Sequence, residues 1–566
     1  MILRASLLIL IATASVVAKE PAKSKSPTFN RDIAPIVFSH CTTCHHPKGN
    51  TPFPLTTYGE VRERARLIAK VTANRYMPPW LPEPGHGDFI GKRRLTDDQI
   101  TLFDRWQKTG SPEGAAADLQ VKPQWSDDWQ LGKPDVVLTM PKPYLLRADG
   151  PDVYRNFVIP GNLLATRFLR AVEFRPNSTR AIHHAFVLVE NTGSARRRAE
   201  RYEEPGFPGM DTAGAGAPGA MFMSWQPGKR PSEAPTGVSA PLQPSTDFVI
   251  QLHLRPTGKP ENVQPSIGLY FTDQPPERFP LMVLLRSVAI DIPPGARDYS
   301  IESSYQLPVD VDVTAALPHM HYLGKEMHGW ADLPDGGRRE LLLIKRWDFA
   351  WQGDYTYREP VFLPKGSTVH MRGIYDNSVR NPRNPNQPPK RVTYGLESTD
   401  EMGELWLQLI PRNPADGELL RNHELKIHAL PDAIALGELL LQKNPKDAVQ
   451  RTELAAALMA SGRMNDALPA LEQAIRDDPT AARPHLLLGH VYMSQKNASK
   501  AQEALEQAVK LDPADFGAHA NLGWILLATG KVDAAIAHLE RAVELNPADP
   551  RPRQNLETAR SLKNKR

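Results

Sequence analysis

Between about residues 124 and 412, apolar and polar residues alternate in short runs, each bounded by Pro, Gly, Asn or Asp. Asp135-Val136-Val137-Leu138-Thr139-Met140 and Phe157-Val158-Ile159-Pro160 are two of them. In Asp247-Phe248-Val249-Ile250-Gln251-Leu252-His253-Leu254, a period of two turns Phe248, Ile250 and Leu252 to a core and His253 away from it. Runs of this kind, with almost no helical periodicity, predict all-β sandwiches. A stretch of nearly 290 residues is long for one sandwich and suits two, at 124–275 and 276–412.

Past about residue 415 the pattern changes to Ala- and Leu-rich helix formers. Pro445, Pro479, Pro513 and Pro547 recur at intervals of 34 residues, Gly489 and Gly523 align with Ala455, and Ala467 aligns with Ala501 and Ala535. Small residues where paired helices cross, with proline at each closing turn, are the tetratricopeptide signature and predict an α-solenoid over 430–566. Such an array presents a concave surface to a protein or peptide partner, or packs against its own chain. Near the other end, Leu95 to Gly110 predicts a helix with Thr96 as N-cap and Gly110 as stop. It closes a small all-α domain over 26–115, and Ala115-Ala116-Ala117 and Lys122-Pro123 mark the linker that follows.

Length and composition fit this division. A chain of 566 residues suits three or four domains, and 41% hydrophobic with 23% charged residues is ordinary globular composition. The net charge of +4 is small, and no basic patch interleaves with aromatics, which argues against nucleic acid. Arg4, the apolar run Leu7-Leu8-Ile9-Leu10-Ile11 and Val16-Val17-Ala18 predict a cleaved export signal over 1–18. The apolar run is shorter than the ~20 residues a span needs, and no later run is long enough. The expected mature protein is therefore periplasmic or secreted, without a membrane span.

An exported chain ordinarily spends its cysteines on disulfides, but here there are two, and both lie in Cys41-Thr42-Thr43-Cys44-His45. Cys-x-x-Cys-His is the attachment signature of haem c: the thiols add to the vinyl groups and His45 becomes the proximal ligand. A redox Cys-x-x-Cys or half of a zinc site is the plainer reading. A thioether as distal ligand raises the potential, and Met77 lies in Arg75-Tyr76-Met77-Pro78-Pro79-Trp80, with His86 as its rival. The stretch resembles small cytochrome c domains that carry a Met-Pro-Pro-Trp motif.

Three histidine clusters punctuate the β region: His183-His184, His253, and His319-Met320-His321. His319 and His321 project to one face of a strand, whereas the adjacent His183 and His184 can share a metal only at a strand end or a bulge. Met402, in Thr399-Asp400-Glu401-Met402, adds a thioether, and histidine with thioether favours copper, above all Cu(I). Each taken singly has a bland reading, since methionine is usually core filler. Asp400 and Glu401 are candidates to orient the ligands, and Asn377 begins a turn-rich loop that borders either the cleft or solvent.

The order His-His, His, His-x-His, Asp-Glu-Met over 130–412, including Pro318-His319-Met320-His321-Tyr322-Leu323-Gly324-Lys325, resembles the copper type II, ascorbate-dependent monooxygenases. These are the family of peptidylglycine hydroxylase and dopamine β-hydroxylase. The resemblance implies two paired eight-stranded jelly rolls. It implies an electron-transfer copper on His183, His184 and His253, and an oxygen-activating copper on the catalytic set His319, His321 and Met402. It implies insertion of one atom of O2 into a C–H bond of a small-molecule or peptide substrate. The animal enzymes are pinned by disulfides and lack a fused cytochrome. Here the expectation is that haem c, fed by an electron donor, replaces or supplements ascorbate or another external reductant. The competing readings are an electron-transfer or copper-binding module that docks a partner on its repeats, and a dehydrogenase-like oxidoreductase passing electrons outward.

Overall fold

The computed structural model describes residues 26–566 except Lys48, Asn50, Gln124, Ser126, Asp127, Ser232, Leu396, Ala548 and Arg566. The expected export signal at 1–18 lies outside the described residues. The chain forms two compact units. The first comprises the described residues up to Pro47 together with Pro52–Pro78 and Arg94–Trp125; the second holds Gly49, Thr51, Pro79–Arg93 and the described residues from Asp128 onward.

The first unit is helical. Helices Ala34–His40, Tyr58–Glu63, Ala65–Ala73 and Asp97–Lys108 enclose Phe29, Ile33, Val37, Val61, Phe103 and Trp106. Thr96 caps the last helix in a reciprocal box with Gln99, as the Thr-x-x-Gln spacing dictates. The chain then turns through Gly110 at φ +86°.

The second unit opens with two sheets around one core. A five-stranded sheet runs in the order Phe207–Pro208, Val153–Pro160, Asp247–Leu254, Ile182–Glu190, Ser224–Trp225. A four-stranded sheet runs Val136–Thr139, Ser266–Thr272, Arg167–Arg175, Ala240–Leu242. Phe248, Ile250 and Leu252 meet Leu169, Ile267 and Leu269 in the shared core, while His253 lies on the opposite face of its strand and is nonetheless buried. The next region repeats the plan. Leu281–Arg286, Gly403–Pro411, Val311–Met320 and Tyr355–Leu363 form one sheet, and Tyr299–Gln306, Thr368–Tyr375, Gly324–Asp332 and Arg338–Ile344 the other. Val313, Met327, Leu342, Val369 and Leu407 fill the space between them. The strand ladders pair antiparallel throughout these four sheets, which lets each sheet cover one core with one face.

The two β regions are fastened together. Ser224 Oγ and Lys229 Nζ of the first each lie 2.5 Å from Asp354 Oδ1 of the second, Gln408 Nε2 donates to the Ala220 carbonyl at 2.6 Å, and Ile410 enters the first core.

After Gly417–Glu424 and a π-helical turn, Leu425–Ala429, helix Leu430–Lys443 lays Leu436 and Leu439 against the second core. Seven further helices, from Ala448–Ala460 to Pro550–Asn564, stack in pairs. Gly523 is needed where two helices cross: a Cβ there would come within 2.6 Å of Leu539. Arg286 pairs with Asp432, Lys443 donates to the Tyr394 carbonyl, and Arg197 lies 3.7 Å from Asp512, so the array is tied to both β regions. Among the described residues, no helix is long and apolar enough to cross a membrane.

Candidate functional site

Strand Ile182–Glu190 pairs with Asp247–Leu254, Ile182 opposite Leu254 and His184 opposite His253. The register shifts between Ile182 and His184, so His183 is the extra residue of a bulge. That bulge turns both adjacent histidines toward His253. The Nδ1 atoms of His183 and His253 each lie 3.4 Å from His184 Nδ1, and one nitrogen from each ring falls within 4.8 Å of the others. Nitrogens bound at about 2.1 Å around a tetrahedral ion stand about 3.4 Å apart, so the cluster has the dimensions of a three-imidazole metal site.

Its surroundings suit neutral imidazoles. His253 Nε2 donates to Asp152 Oδ2 at 2.7 Å, leaving Nδ1 as the bare donor atom, and Tyr154 stacks on the His253 ring at 4.3 Å. A carboxylate behind a ligating histidine fixes its tautomer and raises its basicity. Burial, reinforced by the charge of His253, lowers the His183 pKa to about 4. Burial also drops His184 well below the ordinary range, and His253, His183 and His319 push it the same way. The last of these brings the second cluster within electrostatic reach of the first.

His319 ends strand Val311–Met320 and His321 follows it, their rings 5.1 Å apart and nearly perpendicular. Both Nδ1 atoms are occupied as donors: His319 to Gln352 Oε1 at 2.6 Å, His321 to the Asp400 carbonyl at 3.1 Å. The His321 ring also meets the Glu397 backbone, which leaves His319 Nε2 as the atom of the pair most open to a metal. The ladder ends with Met320 paired to Gly403, so His321 directly follows one strand and Met402 directly precedes the other. Tyr375 holds the Met402 carbonyl through its hydroxyl at 2.8 Å. Fully buried Glu401 accepts the backbone N–H groups of His321 at 3.0 Å and Leu323 at 2.6 Å, bracing the turn that carries the ligand. Burial pushes its carboxyl up to about 8, against the pull of those donors. Burial and then the charge of His319 lower His321 to about 3.

In the first unit, Cys41 caps helix Ala34–His40, and the N–H groups of Cys44 and His45 both return to its carbonyl, at 3.1 and 2.9 Å. Both cysteines are half-buried, and no disulfide joins them. His45 Nδ1 donates to the Phe53 carbonyl at 3.0 Å, which leaves Nε2 for an iron ligand. Burial, with Cys44 second, pushes the Cys41 thiol up to about 12. Two thiols, an oriented imidazole and the apolar cluster of Leu55, Ile68 and Trp106 fit a covalently attached haem. Met77 is half-buried, and it is the only methionine among the described residues of this unit. His86 belongs to the second unit, with Nε2 3.7 Å from Glu340.

Two supporting residues escaped the sequence reading. Asp152 and Gln352 stand 101 and 33 residues from the histidines they orient. Asp400 acts through its carbonyl, not its carboxylate. Asn377 borders neither cleft nor solvent; it is buried and donates to Lys390 O at 2.7 Å and Pro293 O at 3.1 Å.

Residues 458–510 and 486–550 match family models of the tetratricopeptide repeat. The chain is thus a multidomain protein with a β-rich region and C-terminal tetratricopeptide repeats, a repeat type that mediates protein interactions. No curated protein matches it. Two solved structures of MamA are each 25% identical, cover 24% of this chain and 74% or 79% of theirs, and give TM-scores of 0.23. A MamA RS-1 ArsTM double mutant is 26% identical over 22% of this chain and 68% of its own, with a TM-score of 0.20.

Proposed function

We propose that the chain is an exported copper-dependent monooxygenase that hydroxylates a C–H bond with O2, its electrons delivered through a covalently bound haem c. The observation that carries this reading is the convergence of the His183, His184 and His253 nitrogens, within electrostatic reach of a second imidazole pair. In this reading His183, His184 and His253 hold an electron-transfer copper, and His319, His321 and Met402 hold the copper that meets O2. The two β regions take the place of the paired jelly rolls of the copper type II monooxygenases.

Bound copper supplies one stored electron per site and an open position for O2, and R–H + O2 + 2 e⁻ + 2 H⁺ gives R–OH + H2O. The chain's own residues prepare for this. His183, His184 and His321 stay neutral at neutral pH, so their lone pairs are available. The thioether of Met402 favours the reduced metal. Glu401 and Tyr375 fix the backbone on either side of it. Cys41 and Cys44 hold the haem vinyl carbons, His45 and Met77 its iron. Ascorbate or another external reductant supplies the electrons, and the repeats dock a protein or peptide partner in the periplasm or outside the cell.

The test is metal and haem quantification on the exported protein, followed by oxidation of the reduced haem in air. Two coppers and one haem per chain are expected. Met402→Ala should retain the copper at His183 and lose O2-dependent oxidation. Copper-loaded protein whose reduced haem is untouched by O2 would sink the proposal, and anaerobic reduction of the haem by a substrate would point to dehydrogenation.

A further inference from the structure

Helix Leu430–Lys443, which leads into the repeat array, turns one stripe toward the second β region. Asp432, Leu436, Leu439 and Lys443 recur at intervals of four, three and four residues, the spacing that lines one helical face. Leu436 and Leu439 pack on the core, and a charge stands at either end of the stripe. Asp432, in the first turn, pairs with Arg286, which lies 4.0 Å from Glu404, the residue opposite His319 in the ladder. Lys443, in the last turn, donates to the Tyr394 carbonyl and lies 3.7 Å from Asp400 Oδ1. Each charge has the sign that the helix dipole favours at its end, so the dipole accounts for the residue types. It does not account for what they reach.

What Lys443 reaches is the backbone that leads into Met402. Tyr394 forms a parallel bridge with Glu401: the Gly395 N–H donates to the Glu401 carbonyl at 3.1 Å, and the Glu401 N–H to the Thr393 carbonyl at 3.2 Å. Tyr394 is fully buried, and losing the donor to a buried carbonyl is costly. Asp400 works at both ends, its carbonyl accepting from His321 Nδ1 at 3.1 Å while its carboxylate faces Lys443. Lys443 thus holds both sides of the bridge. The helix is itself held to the first repeat, since a Cβ on Gly437 would meet Leu454 of helix Ala448–Ala460 at 3.0 Å.

We propose that the repeat array is part of the machinery of the second histidine cluster: through Lys443, its leading helix positions the Asp400-Glu401-Met402 turn. The role of Met402 as a ligand rests on the copper reading above; the bracing of the turn does not. Lys443 is a positioning residue, because it acts on the ligands through Asp400 and the bridge at Tyr394. The repeats, on this inference, set the geometry of a ligand besides offering a docking surface.

The experiment compares the full chain with Lys443→Leu, which keeps helix propensity and adds no sulfur, and with Lys443→Arg, which keeps the cation. In metal-free protein, hydrogen exchange is read on peptides covering Gly395 and Glu401, with Asp247–Leu254 as the reference. Loss of one charge-assisted bond, weakened by the 35% exposure of the lysine, should speed exchange at the bridge about tenfold in Lys443→Leu. The reference strand should not change, and Lys443→Arg should exchange as wild type does. Cu(I) is then titrated against a chelator in a His183→Ala background, where the second cluster is read. Lys443→Leu should weaken that site about tenfold and leave the first cluster, read in a His321→Ala background, unchanged. A general loss of stability would move both. Exchange at the bridge equal to wild type would overturn the proposal, and so would faster exchange with unchanged Cu(I) affinity. If the second cluster took up no Cu(I) even with Lys443 in place, the copper reading would fail, and exchange alone would still accept or reject the brace.

Discussion

Asp152 offers the sharpest test of the three-histidine cluster, because its hydrogen bond goes to one ligand, His253, with a weaker charge interaction at His183. Its Oδ2 accepts from His253 Nε2 at 2.7 Å, and that bond is the leading cause of its lowered carboxyl pKa. Asp152→Asn keeps an oxygen in place and the ring oriented, but removes the charge that makes the imidazole a better donor. A hydrogen bond to a charged group contributes about 1.5–3 kcal/mol. The Asp152 side chain is 40% exposed, so solvent screening brings the loss just below that range, to about 1.4 kcal/mol or tenfold in affinity. The measurement is a competitive Cu(I) titration against a chelator of known affinity, in a His321→Ala background so that one cluster is read. Asp152→Ala should lose more, up to about a hundredfold, since it frees the ring as well. Affinity unchanged within a factor of two in both variants would mean that His253 does not bind metal through Nδ1. A loss in Asp152→Asn as large as that of His253→Ala would mean that the carboxylate itself is a ligand.

Other outcomes follow from other parts of the molecule. In metal-free protein, His183 and His321 have folded pKa values of about 4 and 3 against an ordinary 6.5, so below pH 6.5 the unfolded chain takes up protons that the fold refuses. Melting temperature should therefore be level on this account above pH 6.5 and fall as the pH drops toward 4; a rise over that window contradicts the burial argument. Lys229→Met strands the buried Asp354 carboxylate with Ser224 alone, at a cost of about 3–5 kcal/mol. Adding Asp354→Leu should restore most of the lost denaturant resistance, and no recovery would show that the charge is not the cause. Gly523→Ala should lower the melting of the repeat array by about 1–3 kcal/mol, as Leu539 is forced aside. Ala455 at the equivalent place of an earlier repeat sets the opposing expectation, so an unchanged melt would show that the leucine can yield.

Patterns with a short period were open to reading from the sequence. The interval of 34 residues located the helix pairs, Thr96 and Gln99 marked a helix start, and alternation in Asp247–Leu254 told Phe248 from His253. Adjacent histidines could share a metal only at a strand end or a bulge, and the register shifts at His183, just inside the start of its strand. Contacts without a local signal stayed hidden. Nothing near Asp152 or Gln352 announces the imidazole it serves. Pro79–Arg93 reads as a continuation of the haem-attachment region, yet its partners Leu343, Thr356 and Tyr357 lie more than 250 residues away. The polar turn residues around Asn377 suggested a surface loop, whereas its amide is sequestered as the hub of several carbonyls.

The bulge at His183 also says something about descent. Because the extra residue sits at the start of its strand, with one pair before it and a regular ladder from His184 to Glu190 after it, removing it leaves the apolar face of the sheet intact. Loss of one codon is then enough to convert this β region into a stable scaffold with no three-imidazole cluster. Gain of one codon at the same spot, in a chain that already carried the two partner histidines, does the reverse. Sheets of this architecture can thus acquire or shed the cluster in a single genetic step, with the core bearing no trace of it.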